Sequence, residues 1–317
     1  MPLGAIYGAV AAHRLVRVGL NAGVPVLCVG NFTLGGAGKT PTVLALAKLL
    51  HEIGEVPVVL SRGYGGSLRG PIKVDAAGHI AAQVGDEPLM MAARLPVVVS
   101  RDRADGVALA RSLGASVIVM DDGFQNPAVI KDVSLIVVDS DRGLGNGQVF
   151  PAGPLRAPLP PQLARTDALL VVGGGPAAEP VAVTIIEQGK PVFRAQLKAS
   201  EASVSALRGK RVLAFAGIGD PARFFRTLRA SGVDVVTEQA FADHHPFSES
   251  EIQRLIAEAR RDALILVTTE KDIARIGSGE SYEHDIVPFA VTLELDEQPS
   301  LRKFLTDRLF AAREKKR

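Results

Sequence analysis

Gly38-Lys39-Thr40 closes the run Thr33-Leu34-Gly35-Gly36-Ala37-Gly38-Lys39-Thr40-Pro41, and these residue types suit one task, the holding of phosphate. Glycines at 35, 36 and 38 let successive backbone N–H groups turn into one concavity, and a following helix adds the positive end of its dipole. A Lys here reaches the β- and γ-phosphates, and the Thr hydroxyl can ligate Mg²⁺. The spacing G-x-x-x-x-G-K-[ST] is met except at its first position, which is Thr33. Thr still hydrogen-bonds but does not enter positive φ as cheaply as Gly. The plain alternative is a Gly-rich connector between strand and helix. Gly-Lys-Thr at the junction favours phosphate, with residues 33 and 35–41 as the nucleotide contacts.

Two further clusters carry acids. Val117-Ile118-Val119-Met120-Asp121-Asp122-Gly123-Phe124-Gln125 is an apolar strand ending in carboxylates. Such an acid holds the Mg²⁺ that bridges nucleotide phosphates. Two adjacent acids beside a triphosphate are costly unless a cation neutralises them; an Asp-Asp-Gly turn is the plain alternative. In Gly85-Asp86-Glu87-Pro88, Asp86 is either a helix-start residue favoured by the dipole or a general base. Asp243-His244-His245 has too few ligands for a structural zinc site but offers a group that titrates near pH 7. In Ser61-Arg62-Gly63-Tyr64-Gly65-Gly66, Arg62 is either a phosphate contact or part of an exposed turn.

The elements that position these residues alternate strand and helix. An apolar run at 24–30 precedes the Gly-rich loop, and a helical pattern of Val43, Leu44, Leu46, Ala47 and Leu50 follows it. Further strands are expected at 56–60, 96–99, 117–120, 133–138 and 168–172, and again at 212–216, 233–238 and 264–269. The strand at 133–138 ends at Asp139 and repeats the strand-then-acid pattern. The Gly- and Pro-rich stretch 141–156 borders a site or is a long surface connector. The fold class is therefore α/β: a P-loop NTPase-type domain with a mostly parallel sheet flanked by helices, plus a second, smaller α/β domain. The expected division is an N-terminal helical segment over 1–20, a P-loop domain over 21–190 and a C-terminal α/β domain over 191–317.

The 317 residues carry a net charge of +2, which gives nucleic-acid binding no support. Cys28 is the single cysteine, so no disulfide framework or multi-cysteine metal site is possible, and a reducing compartment fits. The apolar N-terminal run is about ten residues, half of what a spanning helix needs. Its positive charges, Arg14 and Arg17, follow the apolar stretch rather than precede it, unlike a secretory signal. An interfacial helix and a core-packed helix are both open.

These residues alone lead to a Mg²⁺-dependent P-loop kinase or NTPase of unknown acceptor. Thr269-Glu270-Lys271-Asp272 lacks the guanine-selecting Asn/Thr-Lys-x-Asp spacing, which favours ATP. The alternatives are a nucleotide-dependent switch or assembly ATPase, and a kinase of another hydroxylated metabolite.

The ordered set of motifs resembles the tetraacyldisaccharide 4′-kinase family of lipid A biosynthesis. The set comprises residues 30–41, 61–66, 85–88, 121–125, 143–147 with 151–156, Ala216-Gly217-Ile218-Gly219 with Pro221 and Phe224, 243–245 and 269–272. It spans nearly the whole chain, and Thr33 is the family's own variant of the loop. The resemblance implies ATP-dependent phosphorylation of the 4′-hydroxyl of a tetraacyl glucosamine disaccharide 1-phosphate, with ATP and Mg²⁺ as cofactors. It also implies a peripheral protein, expected to be a monomer, on the cytoplasmic face of an inner membrane. It pairs Asp86 and His244 as a base dyad, gives Lys39 the phosphates, and gives Thr40 with Asp121 or Asp122 the Mg²⁺. Arg62, Tyr64 and Gln125 are candidates for substrate contact. Two departures matter. Asn126 stands where many members have His, so no acid–base role falls there. The N-terminal apolar segment is also shorter than in many members, so surface attachment rather than spanning is expected.

Overall fold

The computed structural model describes residues 2–15, 17–277, 282 and 284–316, except for the side chains of residues 2, 3, 5 and 6. Part of the N-terminal apolar segment and Arg317 of the basic end therefore lie outside the described residues. The strands are β1 Val26–Gly30, β2 Pro57–Ser61, β3 Ile72–Lys73, β4 Val97–Val99, β5 Val117–Asp121, β6 Val133–Asp139, β7 Ala168–Val172, β8 Val192–Ala199, β9 Arg211–Ala216, β10 Asp234–Ala240, β11 Ile265–Thr269, β12 Ile286–Phe289 and β13 Val291–Leu295.

Among the described residues these strands make two sheets. The larger has the order β13-β8-β7-β6-β1-β5-β2-β4-β3, and the smaller β10-β9-β11-β12. The larger sheet is parallel except at its two edges, where β13 runs against β8 and β3 against β4. Its inner strands β1, β2, β5, β6 and β7 are buried at every position. Their unbroken Val/Leu/Ile runs are what a parallel strand covered on both faces requires. β1 lies at the centre with β5 on one side and β6 on the other, so the Gly-rich loop and Asp121 emerge side by side at the carboxyl ends. Open α/β sheets bind ligands at that edge.

The smaller sheet is fully parallel. β9 alternates its burial between two layers: Val212, Ala214 and Ala216 meet Phe224, Phe225 and Leu228, while Leu213 and Phe215 meet Ile252, Leu255 and Ile256. The period of two in a strand sends neighbours to opposite faces, which produces a three-layer sandwich.

The division expected at residues 190 and 191 does not follow these sheets. β8 and β13 both belong to the larger sheet. The terminal helix Gln298–Glu314 also returns to the larger unit, with Leu301, Leu305 and Leu309 in the same core as Leu27, Leu46 and Leu135. Their spacing of four puts one apolar stripe on that core. Arg313 to Glu55 and Lys316 to Asp132, at 2.5 and 2.8 Å, fix its far end. The smaller unit is thus an excursion between β8 and β13.

The helix Pro2–Leu15 lies along the segment around residues 149–158. A Cβ on Gly8 would come within 3.3 Å of the Pro158 ring, and the Tyr7 ring meets Phe150 edge-on at 5.8 Å. Leu15 is buried, while Tyr7, Val10 and Phe150 are exposed. No described helix is long and apolar enough to cross a membrane.

Candidate active site

The loop after β1 turns through Gly35 at φ 97° and Gly38 at φ 83°, left-handed values that a side chain would resist. Gly38 caps the helix Lys39–Glu52 and accepts the hydroxyl hydrogen bond of Thr42 at 2.9 Å. The amide of Asn31 donates to the carbonyl of Gly35 at 3.3 Å from beneath. Thr33, the residue that departs from the usual loop pattern, has a different task. It pairs with Leu155 in an isolated bridge, and its carbonyl accepts from Arg156 Nε at 2.9 Å. The Pro-rich segment therefore borders the site.

Arg156 also places its fork on Asp122, with Nη1 2.9 and 3.0 Å from the two carboxylate oxygens. Lys39 Nζ lies 3.6 Å from the same carboxylate. Burial works to push the Asp122 carboxyl up, but Lys39 and Arg156 overcome it and hold the group below the usual carboxylate range. Asp122 sits at φ 47°, a conformation Asp tolerates better than most residues. Its neighbour has the opposite environment. Asp121 is buried at the end of β5, accepts from Ser61 Oγ at 3.1 Å through one oxygen, and has no partner for the other. Burial first, then the charges of Glu87 and Asp122, push its carboxyl up to about 7 against the pull of Lys39 and Ser61.

Such a fully buried acid with one unpartnered oxygen fits a cation. Among the described residues no three His, Cys, Asp or Glu side chains converge to hold a metal by themselves. Mg²⁺ would therefore take Thr40, one of this acid pair and oxygens of the nucleotide phosphates, in keeping with its habit of sharing carboxylates with substrate.

The second half of the site crosses between the units. Asp86 opens the helix Asp86–Ala92 and is nearly buried. Its Oδ1 accepts from the N–H of Glu87 at 2.9 Å. Its Oδ2 meets His244 Nδ1 at 3.0 Å and accepts from Arg275 Nη2 at 2.7 Å. Asp86 and His244, 158 residues apart in the chain, are thus brought together. Burial would raise the Asp86 carboxyl, but Lys271, Arg275 and His244 together lower it. The Tyr64 ring stands 5.6 Å from the His244 ring. Lys271 Nζ donates to Glu87 Oε1 at 2.7 Å, Arg142 pairs with Asp220 at 3.1 Å, and Arg223 pairs with Asp139. The acid at the end of β6 therefore joins the two units.

A cavity of about 240 Å³ opens between these parts. The loop residues 36–41, Glu87 and Lys271 form its polar wall; Leu197, Phe224, Phe289 and Val291 form an apolar one. Neither this cavity nor a larger cleft of about 940 Å³, between the helix Lys39–Glu52 and β13, is lined by Asp86, His244, Asp121 or Asp122.

Of the other expected residues, Arg62 is exposed, as is Tyr64. The amide of Gln125 donates to the Asn31 carbonyl at 2.8 Å and to Gln162 at 3.0 Å, tying the acid strand's end to the loop. The Asn126 side chain accepts from the N–H of Ala128 at 2.9 Å and closes a turn. Arg156, Arg275, Glu87 and Lys271 received no role from sequence reasoning. Arg156, Glu87 and Lys271 stand inside motifs already singled out, which was the available signal; Arg275 stands in none.

The family model for tetraacyldisaccharide-1-P 4′-kinase, LpxK, matches residues 1–310. The tetraacyldisaccharide 4′-kinase of Nitrobacter winogradskyi is 66% identical over 310 residues, covering 97% of this chain and 92% of its own length. That of Bradyrhizobium diazoefficiens is 64% identical over 315 residues, covering 99% and 93%. The crystal structure of LpxK from Aquifex aeolicus in complex with ATP matches the fold with a TM-score of 0.76 at 28% identity, over 97% of this chain and 98% of that one.

Proposed function

This chain belongs to the tetraacyldisaccharide-1-phosphate 4′-kinase family, and we propose from its site that it moves the γ-phosphoryl of ATP onto the 4′-hydroxyl of a tetraacyl glucosamine disaccharide 1-phosphate, giving lipid IVA. The observation that carries this reading is the meeting of Asp86, on the larger unit, with His244, on the smaller one, at 3.0 Å.

The residues divide the work as follows. The backbone of residues 35–40 and the Lys39 ammonium hold the phosphates and offset the charge that spreads over them as the γ-phosphoryl departs. Bound Mg²⁺ would neutralise and orient the phosphate oxygens. Thr40 and Asp121 would hold it, because Asp122 is already committed to Lys39 and Arg156 while Asp121 keeps a free buried oxygen. At the acceptor end both Asp86 oxygens already accept hydrogen bonds. With the His244 Nδ1 proton directed at Asp86, the ring's Nε2 is left to take the acceptor hydroxyl proton. Asp86 stays charged and steadies the imidazolium that results. Arg62, Tyr64 and Gln125 remain the candidates for acceptor contact.

The apolar helix Pro2–Leu15 serves as a surface anchor in this reading, so that a monomer meets its acylated substrate at the cytoplasmic face of the inner membrane. Exposed Tyr7, Val10 and Phe150 beside Arg14 and Arg17 support it: apolar groups enter the lipid boundary and cations meet anionic headgroups. The test of the chemistry is kinetic. Asp86→Asn and His244→Ala should each lower kcat by about 100-fold or more while ATP binding, followed by a fluorescent analogue, stays unchanged. Wild-type turnover in both variants removes the pair from the mechanism.

A further inference from the structure

Arg275 joins three things that the reaction needs in register. Its Nη2 donates to Asp86 Oδ2 at 2.7 Å. Its Nη1 donates to the carbonyl of Gly217 at 2.9 Å, to that of His245 at 3.4 Å and to Asp272 Oδ1 at 2.9 Å. Gly217 is also the residue whose carbonyl accepts the backbone N–H of His244 at 3.0 Å. Asp272 is fully buried and is fixed by the Thr269 hydroxyl at 2.7 Å and the N–H of Gly217 at 3.2 Å. One guanidinium, itself nearly buried, therefore grips the Asp86 carboxylate of the larger unit and the loop of the smaller unit that carries His244. His244 sits on that loop at φ 58°, a left-handed position that persists where its surroundings over-determine it.

We propose that Arg275, anchored by Asp272, is a positioning residue for phosphoryl transfer: it sets the Asp86 carboxylate and the His244 ring in the one arrangement in which the pair can take a proton. The inference rests on the Asp86–His244 reading above. Lys in its place keeps a cation but loses the planar fork, so charge and geometry can be separated. The charged and titratable groups that face Asp86 are Glu87 on its own helix; Lys271, Asp272 and Arg275 on the helix Glu270–Ile276; and Asp243 and His244 on the loop. Removing the guanidinium takes away a cation that holds the Asp86 carboxyl down, so Asp86 holds a proton more tightly.

The experiment is steady-state kinetics of the full chain with ATP and the acylated disaccharide phosphate, over a range of pH, with thermal melts as a folding check. Arg275→Ala should lose about 100-fold in kcat, keep KM for ATP within about twofold, and move the acid limb of the kcat profile up by about one pH unit. Added guanidinium ion, well below denaturing concentrations, should restore part of the rate. Arg275→Lys should lose about tenfold with the limb unmoved, and it decides the matter if the Ala variant fails to fold. Wild-type kcat in Arg275→Lys, or a loss in Arg275→Ala that appears wholly in KM for ATP, overturns the proposal while Asp86→Asn and His244→Ala remain inactive. Full kcat in those two variants overturns the underlying dyad instead.

Discussion

Asp121→Asn should make the protein more stable and less active at once. The carboxyl is pushed from 3.8 to about 7, chiefly by burial and then by Glu87 and Asp122. That gap corresponds to roughly 4 kcal/mol between its charged and neutral forms. The folded state holds this proton more tightly than the unfolded chain does. Below 3.8 both states are protonated and the group is neutral in the balance. As pH rises from 3.8 to 7 the unfolded chain releases its proton first, so the folded state loses stability, with the full cost present above 7. Asn removes the charge and can still accept from Ser61. Its amide, however, takes the place of the oxygen that has no partner, which returns about 2 kcal/mol. The net gain is about 2 kcal/mol at pH 8 and close to zero at pH 5. In melts followed by circular dichroism, with EDTA and no nucleotide, Asp121→Asn should melt roughly 3 °C above wild type at pH 8 and level with it at pH 5. ATP and Mg²⁺ should then reverse the order, since a ligand stabilises in proportion to how well the folded state binds it. A variant that melts below wild type at pH 8 in EDTA, or the same difference at both pH values, refutes the argument that Asp121 is a buried charge awaiting a cation.

Other consequences can be checked more briefly. Lys39→Ala removes the ammonium 3.6 Å from Asp122 and should nearly abolish transfer, read as initial rate at saturating acceptor. Arg156→Ala frees Asp122 and the Thr33 carbonyl. Loss of charge-assisted contacts of about 1.5–3 kcal/mol should raise KM for ATP by about tenfold or more, and an unchanged KM would confine Arg156 to the fold. Deleting residues 1–20 should release the protein from vesicles containing anionic lipid, and continued co-sedimentation would place the anchor elsewhere.

What was legible in the sequence follows from how far apart the cooperating atoms lie along the chain. Phosphate is held by consecutive backbone N–H groups, so the loop at 35–40 must be written contiguously. An acid expected to meet a metal follows a buried strand, and Val117–Asp121 has both parts. The pairing of Asp86 with His244 came from the resemblance, because nothing local in either segment points to the other. Arg275 was invisible for the same reason, its partners being Asp86, Gly217, His245 and Asp272. Asp139 repeats the strand-then-acid pattern of Asp121, yet the acid pairs with Arg223. A lone carboxylate after a strand does not reveal which cation will meet it. The domain division failed because β8 and β13 bracket the smaller unit and pair with each other, and a long-range antiparallel pairing leaves no local mark.

The central claim is transfer to a sugar hydroxyl, and its most direct measurement uses γ-labelled ATP and the full chain with either the tetraacyl disaccharide 1-phosphate or water alone as acceptor. The label should appear in the lipid product, on the 4′-oxygen, with little free phosphate in either arm. Label released only as inorganic phosphate, at the same rate with and without the disaccharide, would contradict the kinase reading and leave a nucleotide-driven switch in its place.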